Sequence, residues 1–255
     1  MSRQLFVLEL YPFGYGMGRA FENRGHVVFT VDFQRRKKHG ANAIVTTTSI
    51  PMWEPPTPPS GRWDLVLLRP FCPTYSRGAF YMHYRSHKTG VPVDGARGDK
   101  AREADRLVLD ELDLARRVNP RLGWLLENPN GDLRKCPFMA GIPVATVTLC
   151  QYGDVVRKAT DLFGTVPPEF TAKACKAGSD CHQHSNWKAK SGSVYGDALK
   201  RTKGSSWNKA ALPHDLSWAI AQAFEAADDR GWTAPQLLKA EMLVPPPSKP
   251  GPVLA

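Results

Sequence analysis

Strand-length apolar runs alternate with stretches of helical periodicity along most of the chain, and this alternation limits the fold more than any other feature. The first unit is an apolar run at Leu5 to Leu10, a glycine turn, a helical stretch to Arg24 and a second apolar run at Val27 to Phe33. A longer helix is predicted from Lys100 to Val118. Strands that alternate with helices predict an α/β fold, with a mostly parallel sheet and helices on both faces.

The same pattern also divides the chain into regions. It predicts three further strands and a late helix, at Trp63 to Leu68, Gly123 to Glu127, Ala145 to Gln151 and Pro213 to Asp228. We therefore predict a main domain of residues 1–165 and 205–230, with a small, irregular, basic insertion at residues 166–204. Residues 231–255 are rich in proline, and we predict a flexible tail there.

Positive charge narrows the class of partner. The 34 Lys and Arg residues outnumber the 24 Asp and Glu residues, for a net charge of +10, which is typical of a protein that binds a polyanion such as nucleic acid. A membrane surface would also suit that charge, but the sequence has no apolar run of about 18 residues and no signal-peptide pattern. We expect an intracellular, cytoplasmic monomer that does not bind membranes. The five cysteines do not predict a disulfide framework.

Two chemically capable side chains follow predicted strands. Cys72 lies in the segment Arg69-Pro70-Phe71-Cys72-Pro73-Thr74-Tyr75-Ser76, and Glu127 begins the segment Glu127-Asn128-Pro129. Because parallel strands end at one edge of a sheet, a nucleophile and a hydrogen-bonding acid would meet in one cleft. Arg69 and Arg77 are expected to lower the pKa of the Cys72 thiol. The alternative is a buried structural cysteine and a solvated glutamate.

The order of these motifs resembles the cytosine-C5 DNA methyltransferase family, particularly its short phage forms. The matching pieces cover about residues 5 to 225. They are the glycine motif at Pro12 to Gly18, the acidic strand end at Asp32, the Pro-Cys loop at Pro70 to Ser76, Glu127-Asn128-Pro129, Gln151-Tyr152-Gly153 with Arg157, and a late segment near Ser205 to Leu216. The Pro-Cys loop followed by Glu-Asn-Pro is quite specific, whereas the glycine turn is not.

The resemblance implies a Rossmann-like class I methyltransferase fold and S-adenosylmethionine as cofactor. It also implies that the Cys72 thiolate adds to C6 of a cytosine flipped out of DNA, after which C5 accepts the transferred group. The implied catalytic residues are Cys72, Glu127, Asn128 and Arg157. The implied cofactor-binding residues are Glu9, Phe13, Gly14, Gly16, Asp32, Arg69, Pro70 and Asn208. A phage origin would place the protein in the cytoplasm of a bacterial host.

Two departures from the family pattern leave the transferred group open. Family members usually carry Pro-Pro-Cys where this chain has Pro70-Phe71-Cys72 preceded by Arg69, and the glycine motif here is one residue longer. A guanidinium beside the transfer centre could pair with a carboxylate. The cofactor could then be carboxy-S-adenosylmethionine and the product 5-carboxymethylcytosine. Other readings are an inactive DNA-binding relative and an enzyme that modifies RNA.

Basic segments on either side of these motifs are candidates for DNA contact. Residues 77–102 hold six Lys or Arg against two Asp, and residues 157–209 hold ten Lys or Arg against four acids. Both segments could also be solvated loops. We predict contacts to DNA from Ser76, Arg77, Arg85, Lys88, Gln151 and Lys158.

Four metal-ligand side chains lie within ten residues of the predicted insertion. They are Cys175, Cys181, His182 and His184. In a segment too small for its own core, they suggest a structural zinc site. The spacing is not a standard zinc-knuckle pattern, and the alternative is a loop packed on the main domain.

Overall fold

The computed structural model describes residues 3–10, 16–32, 43–45, 49–154, 157–176, 178–181, 212–239 and 243. Within these residues, one seven-stranded sheet runs in the order β3-β2-β1-β4-β5-β7-β6. The strands are β1 (Phe6–Leu10), β2 (Val27–Asp32), β3 (Ala43–Val45), β4 (Leu65–Leu68), β5 (Trp124–Pro129), β6 (Val144–Thr148) and β7 (Ala159–Gly164).

The first five strands are parallel to one another, and only β7 runs antiparallel to its neighbours β5 and β6. The strand order reverses between β1 and β4, because the chain extends the sheet outward through β2 and β3 and then returns. In open α/β sheets, ligands bind outside the carboxyl ends of the strands at such a switch point. The predicted Rossmann-like α/β fold is therefore confirmed.

Among the described residues, three α-helices cover the two faces of the sheet: α1 (Met17–Asn23), α2 (Ala96–Val118) and α3 (His214–Asp229). Residues of β1 and β4 alternate between two cores, as side chains on a strand must. On one face, Leu8 and Leu68 join α2, and on the other Val7 and Leu67 join α1 and α3. Burial on both faces explains why these strands read as continuous apolar runs.

Several predicted boundaries differ from those of the structure. The long helix begins at Ala96 rather than Lys100, and a 3₁₀ helix at Arg77–Met82 precedes it. The strand β7 was not predicted, because its polar residues Thr160 and Asp161 resemble a loop. Both are fully buried, and Asp161 accepts hydrogen bonds from Arg134, which lies outside the strand.

The predicted flexible tail begins too early. Residues 231–239 run along the domain, where Leu238 is only 3% exposed and the Ala234 amide donates to the Arg121 carbonyl over 3.0 Å. The predicted insertion likewise starts with packed residues, since Val166 and Phe170 contact a core. Residues 182–211 of that insertion and its flank lie outside the described part of the chain. Among the described helices, none is long and apolar enough to cross a membrane.

Candidate active site

The Pro-Cys loop at residues 70–76, hereafter the Cys72 loop, follows the carboxyl end of β4 and is held by its own backbone hydrogen bonds. The amides of Tyr75 and Ser76 both donate to the Cys72 carbonyl over 3.0 Å, which closes a tight turn around the cysteine. The Tyr75 carbonyl then accepts from the amide of Asp132 over 2.8 Å. A β-carbon at Gly131 would lie 2.0 Å from that carbonyl, so only glycine permits this close approach of the two loops.

Glu127 lies beside Arg69 because their strands are paired in register. Leu68 of β4 is opposite Leu126 of β5, so the next residue on each strand is also adjacent. Arg69 Nε donates to Glu127 Oε2 over 3.2 Å, and the two residues are 4% and 5% exposed. A buried carboxylate with a buried guanidinium partner at a sheet edge is an ion pair removed from water.

Asn128, near the end of β5, contacts the loop that follows β4. Its Nδ2 donates to the Pro70 carbonyl over 3.3 Å, and the side chain is fully buried. Its Oδ1 is buried and has no hydrogen-bond partner among the residues that the structure describes. These contacts make Asn128 a positioning residue for the Cys72 loop.

A third buried charge, Glu9 on β1, extends the ion pair toward the glycine turn. Glu9 is 1% exposed, and its Oε1 accepts from the Gly18 amide over 3.2 Å. Burial raises the pKa of Glu9, and the positive charge of Arg69 opposes that rise. A β-carbon at Gly18 would lie 2.4 Å from Glu9 Oε2, and one at Gly16 would lie 2.5 Å from Arg69 Nη1. The glycines therefore allow α1 to pack directly on the charged residues.

The Cys72 thiol is less acidic than the sequence suggested. Its pKa is raised, first by burial and then by the negative charge of Glu127, while Lys158 and Arg69 act in the opposite direction. The expectation of a lowered pKa is wrong: Arg69 does act to lower it, but burial and the charge of Glu127 outweigh that effect, and Arg77 is exposed. Lys158, which follows β6 in the chain and was predicted to bind DNA, also acts to lower the pKa.

Arg85, which was predicted to contact DNA, is buried inside the protein. It is 2% exposed, and its guanidinium donates to the carbonyls of Thr74 over 2.9 Å and Gly90 over 2.8 Å. It also pairs with Asp105 over 3.1 Å and lies 4.3 Å above the Tyr75 ring. Because these contacts engage the Arg85 guanidinium inside the protein, Arg85 is not available to contact DNA.

The other predicted site residues are distributed as follows. Arg77 and Lys88 are exposed, while Ser76, Gln151 and Lys158 are partly buried. The Arg157 guanidinium donates to the Cys175 carbonyl over 3.3 and 3.2 Å. Asp32 ends β2, but its side chain lies outside what the structure describes, as do Phe13, Gly14 and Asn208.

Three of the five cysteines form a separate cluster. Cys175 Sγ lies 3.2 Å from Cys150 Sγ, which is 3.8 Å from Cys181 Sγ. Cys175 and Cys181 were predicted metal ligands, and the structure brings them together with Cys150, which was missed. Cys150 lies 25 residues before Cys175, so no local spacing pattern reveals it. His182 and His184 lie outside the described residues.

No protein-family model and no curated protein sequence matches the chain. Solved structures that match include the methyltransferase EhMeth of Entamoeba histolytica, with a TM-score of 0.44 and 12% identity over 68% of this chain and 57% of that one. Another is the Dnmt2 methyltransferase of S. pombe, with a TM-score of 0.37 and 18% identity over 64% of this chain and 50% of that one. The chain thus spans between half and three fifths of these proteins' length.

Proposed function

We propose that the protein is an S-adenosylmethionine-dependent transferase that modifies C5 of cytosine in DNA, with Cys72 as the nucleophile. One observation carries this proposal. The Cys72 thiol and the buried Glu127 carboxyl follow neighbouring parallel strands next to the switch point, and the charge of Glu127 acts on the pKa of Cys72. A nucleophile that is electrostatically coupled to an acid in one cleft suits covalent catalysis on a polar ring.

The coupling suggests how the thiol would be activated. Glu127 would hydrogen-bond to N3 and the N4 amino group of the bound cytosine, sharing a proton with the ring. As its negative charge is neutralised, the pKa of the Cys72 thiol falls, because that charge is one of the causes that raise it. The base that is to be attacked would therefore promote ionisation of the attacking group.

The chemistry at the base then follows from these two side chains. The Cys72 sulfur forms a bond to C6, and the electron pair of the C5–C6 bond becomes available at C5, with Glu127 stabilising charge at N3. C5 would then bond to the carbon that a sulfonium donor supplies, whose carbon–sulfur bond would break to leave a neutral thioether, and C5 would lose its proton to a base. The C6–S bond then breaks, which restores the double bond and releases Cys72 as a thiolate. Asn128 holds the loop through Pro70 throughout.

The residues at the switch point fit an S-adenosylmethionine-type cofactor. Gly16 and Gly18 lack the β-carbons that would collide with Arg69 and Glu9, so backbone approaches the cleft closely. Buried carboxylates nearby suit a positively charged sulfonium. The residues that would hold the cofactor are Glu9, Gly16, Asp32 and Pro70, together with Phe13, Gly14 and Asn208 of the resemblance. Such a cofactor supplies an electrophilic carbon bonded to a sulfonium.

DNA is the proposed substrate because exposed cations follow Cys72 in the chain. Arg77 and Lys88 are exposed in the segment after the Cys72 loop, and the chain carries a net charge of +10. Phe71 beside the nucleophile is 61% exposed. A cytosine inside a duplex presents neither ring face to Cys72, so the base would have to leave the stack.

Product analysis tests this proposal directly. The purified protein is incubated with cytosine-containing DNA and S-adenosylmethionine, the DNA is digested, and the nucleosides are weighed by mass spectrometry. We expect a methyl-sized gain that disappears in Cys72→Ser, and a covalent complex with DNA containing 5-fluorocytosine. DNA binding with no product and no covalent complex would instead identify a binding module. Preference for RNA in direct competition would overturn the DNA assignment.

A second candidate is transfer of a carboxymethyl group from carboxy-S-adenosylmethionine. The supporting observation is that Arg69 bonds Glu127 through Nε, while its Nη1 lies nearest the glycine turn at Gly16. A guanidinium between the cofactor side and the base side of the cleft could pair with a carboxylate on the transferred group.

The two cofactors supplied together separate these candidates. A carboxymethyl-sized gain in the wild type would support the second one. Arg69→Lys keeps the positive charge beside Glu127 but loses the planar fork, so it should shift the product toward methyl. An unchanged product ratio in Arg69→Lys would remove the basis of the carboxymethyl candidate.

A further inference from the structure

The cluster of Cys150, Cys175 and Cys181 has the dimensions of a metal site. All three sulfurs lie within 4.8 Å of one another, and no disulfide joins them. Zinc–sulfur bonds of about 2.3 Å in a tetrahedron separate the sulfurs by roughly 3.7 Å. The two separations of 3.2 and 3.8 Å that involve Cys150 bracket that value.

The backbone that carries two of these cysteines is held together independently of their sulfurs. The Thr148 amide donates to the Lys173 carbonyl over 3.0 Å, and the Cys175 amide donates to Thr148 Oγ1 over 2.9 Å. The Lys173 amide donates to the Tyr152 hydroxyl over 3.0 Å. Hydrogen bonds on both sides of Cys150 thus fix residues 173–175 against the end of β6, so the approach of the thiols is built into the fold.

We propose that Cys150, Cys175 and Cys181 bind a structural zinc ion. Thiolates are donors of the kind that structural zinc sites use, and each thiol gives up its proton on binding. This site differs from the one suggested by sequence spacing, because its most buried ligand, Cys150, precedes β7 in the chain, whereas Cys175 and Cys181 follow it.

The position of the cluster indicates what the metal would do. The Arg157 guanidinium donates to the Cys175 carbonyl, and the Lys158 carbonyl accepts from the Leu149 amide over 2.9 Å. Lys158 in turn acts on the pKa of Cys72. Zinc would therefore attach Cys181 to the β6–β7 end of the candidate active site. The zinc assignment does not depend on the proposed transferase chemistry.

Metal analysis of the full chain tests the proposal. The protein is purified without a histidine tag, under reducing conditions, and its zinc is measured by plasma mass spectrometry. We expect about one zinc per chain, lost in Cys150→Ser and Cys175→Ser and retained in Cys72→Ser, a matched thiol variant outside the cluster. X-ray absorption at the zinc edge should show sulfur ligands at about 2.3 Å.

A second measurement covers variants that fail to fold. Wild-type protein stripped of metal and titrated with Co²⁺ should develop thiolate-to-cobalt charge-transfer absorption that Zn²⁺ then abolishes. Wild-type protein with no zinc and no such absorption would overturn the site. A Cys150–Cys175 disulfide found by peptide mapping of freshly purified protein would overturn it as well.

Discussion

A single guanidinium, that of Arg69, interacts with two carboxyl groups that are removed from water. Glu9 and Glu127 are 1% and 5% exposed, on the strands that flank Arg69 on either side. Arg69 bonds Glu127 directly and opposes the rise in the pKa of Glu9. An unpaired buried charge costs several kcal/mol, which exceeds what the intact pair gains. Arg69 is therefore a determinant of stability as well as a candidate for cofactor recognition.

Replacing Arg69 should reveal that cost. We expect Arg69→Ala to lower the free energy of unfolding by about 3 kcal/mol, because it leaves Glu127 buried without a counter-charge. The double variant Arg69→Ala/Glu127→Gln should recover part of the loss, since a neutral amide needs no cation. Urea unfolding followed by circular dichroism measures both. Equal stability of the single and double variants would contradict the role given to the pair.

The raised pKa of Cys72 predicts how its reactivity depends on pH. The thiolate is the reactive form, so a raised pKa lowers the alkylation rate near neutrality and moves its rise to higher pH. Glu127→Gln removes a negative charge that contributes to the raised pKa, so the same rise should occur at lower pH. Iodoacetamide labelling across pH, with Cys72 identified by peptide mapping, measures both profiles. A Cys72 that reacts below the pH range of an ordinary thiol would contradict this account.

Among the elements, the Cys72 loop owes its position to residues from two other segments. Arg85 holds the Thr74 and Gly90 carbonyls together, and Asp105 of α2 accepts from the Tyr75 hydroxyl over 2.8 Å. Asp105 is also buried, so it depends on Arg85 for its counter-charge. The loop that carries the nucleophile is thus fixed to α2 through a buried polar network.

Substitutions of two arginines distinguish the structural role of the buried network from contact with DNA. Arg85→Ala should lower the free energy of unfolding by about 3 kcal/mol, because it leaves Asp105 buried without this counter-charge. Arg77→Ala, at an exposed position, should leave unfolding unchanged but weaken DNA binding and reduce its salt slope by about 1. Chemical denaturation and DNA titration at several salt concentrations give the two readouts. The account fails if Arg85→Ala is as stable as Arg77→Ala.

The elements that the sequence predicts well are those whose local pattern matches their burial. Apart from Glu9, the residues of β1 and β4 are apolar on both faces, so a local pattern predicts both strands. The parallel pairing of β4 and β5 then brings Arg69, which follows β4, beside Glu127. By contrast, the buried carboxylate of Asp161 on β7 accepts its hydrogen bonds from Arg134 and Asn130, which lie far from it in the sequence. The burial of a charged side chain by a distant segment leaves no periodic trace in the sequence.

At the scale of the whole molecule, the chain is closed by contacts between its first third and its last described helix. Phe21 of α1 packs on Phe224 of α3, with ring centroids 6.4 Å apart. Beside them Arg24 Nε donates to Glu225 over 2.6 Å, and His26 Nε2 lies 2.7 Å from the same oxygen. His26 Nδ1 accepts from the Leu5 amide over 3.2 Å, so Nε2 carries the proton and donates to Glu225. One carboxylate thus joins residues about two hundred positions apart.

This closure predicts a specific dependence of stability on acid. Burial favours the neutral form of Glu225, but the hydrogen bonds from Arg24 and His26 outweigh it, and the pKa of Glu225 is lowered from its ordinary value of 4.5. A carboxyl whose pKa is lower in the folded state stabilises the protein above its unfolded-state pKa, and that contribution is lost as pH falls through the folded-state pKa. At pH 7, Glu225→Gln should lower the free energy of unfolding by about 2 kcal/mol.

The difference between wild type and Glu225→Gln should shrink as the pH falls below 4.5, because protonation then removes the same charge from the wild type. Urea unfolding of both proteins at a series of pH values between 7 and 3 measures this difference. Glu22→Gln, which changes a partly buried carboxyl on α1, is the matched control and should parallel the wild type. A difference that stays constant through acid would mean that the Glu225 side chain stabilises the closure by packing rather than by charge.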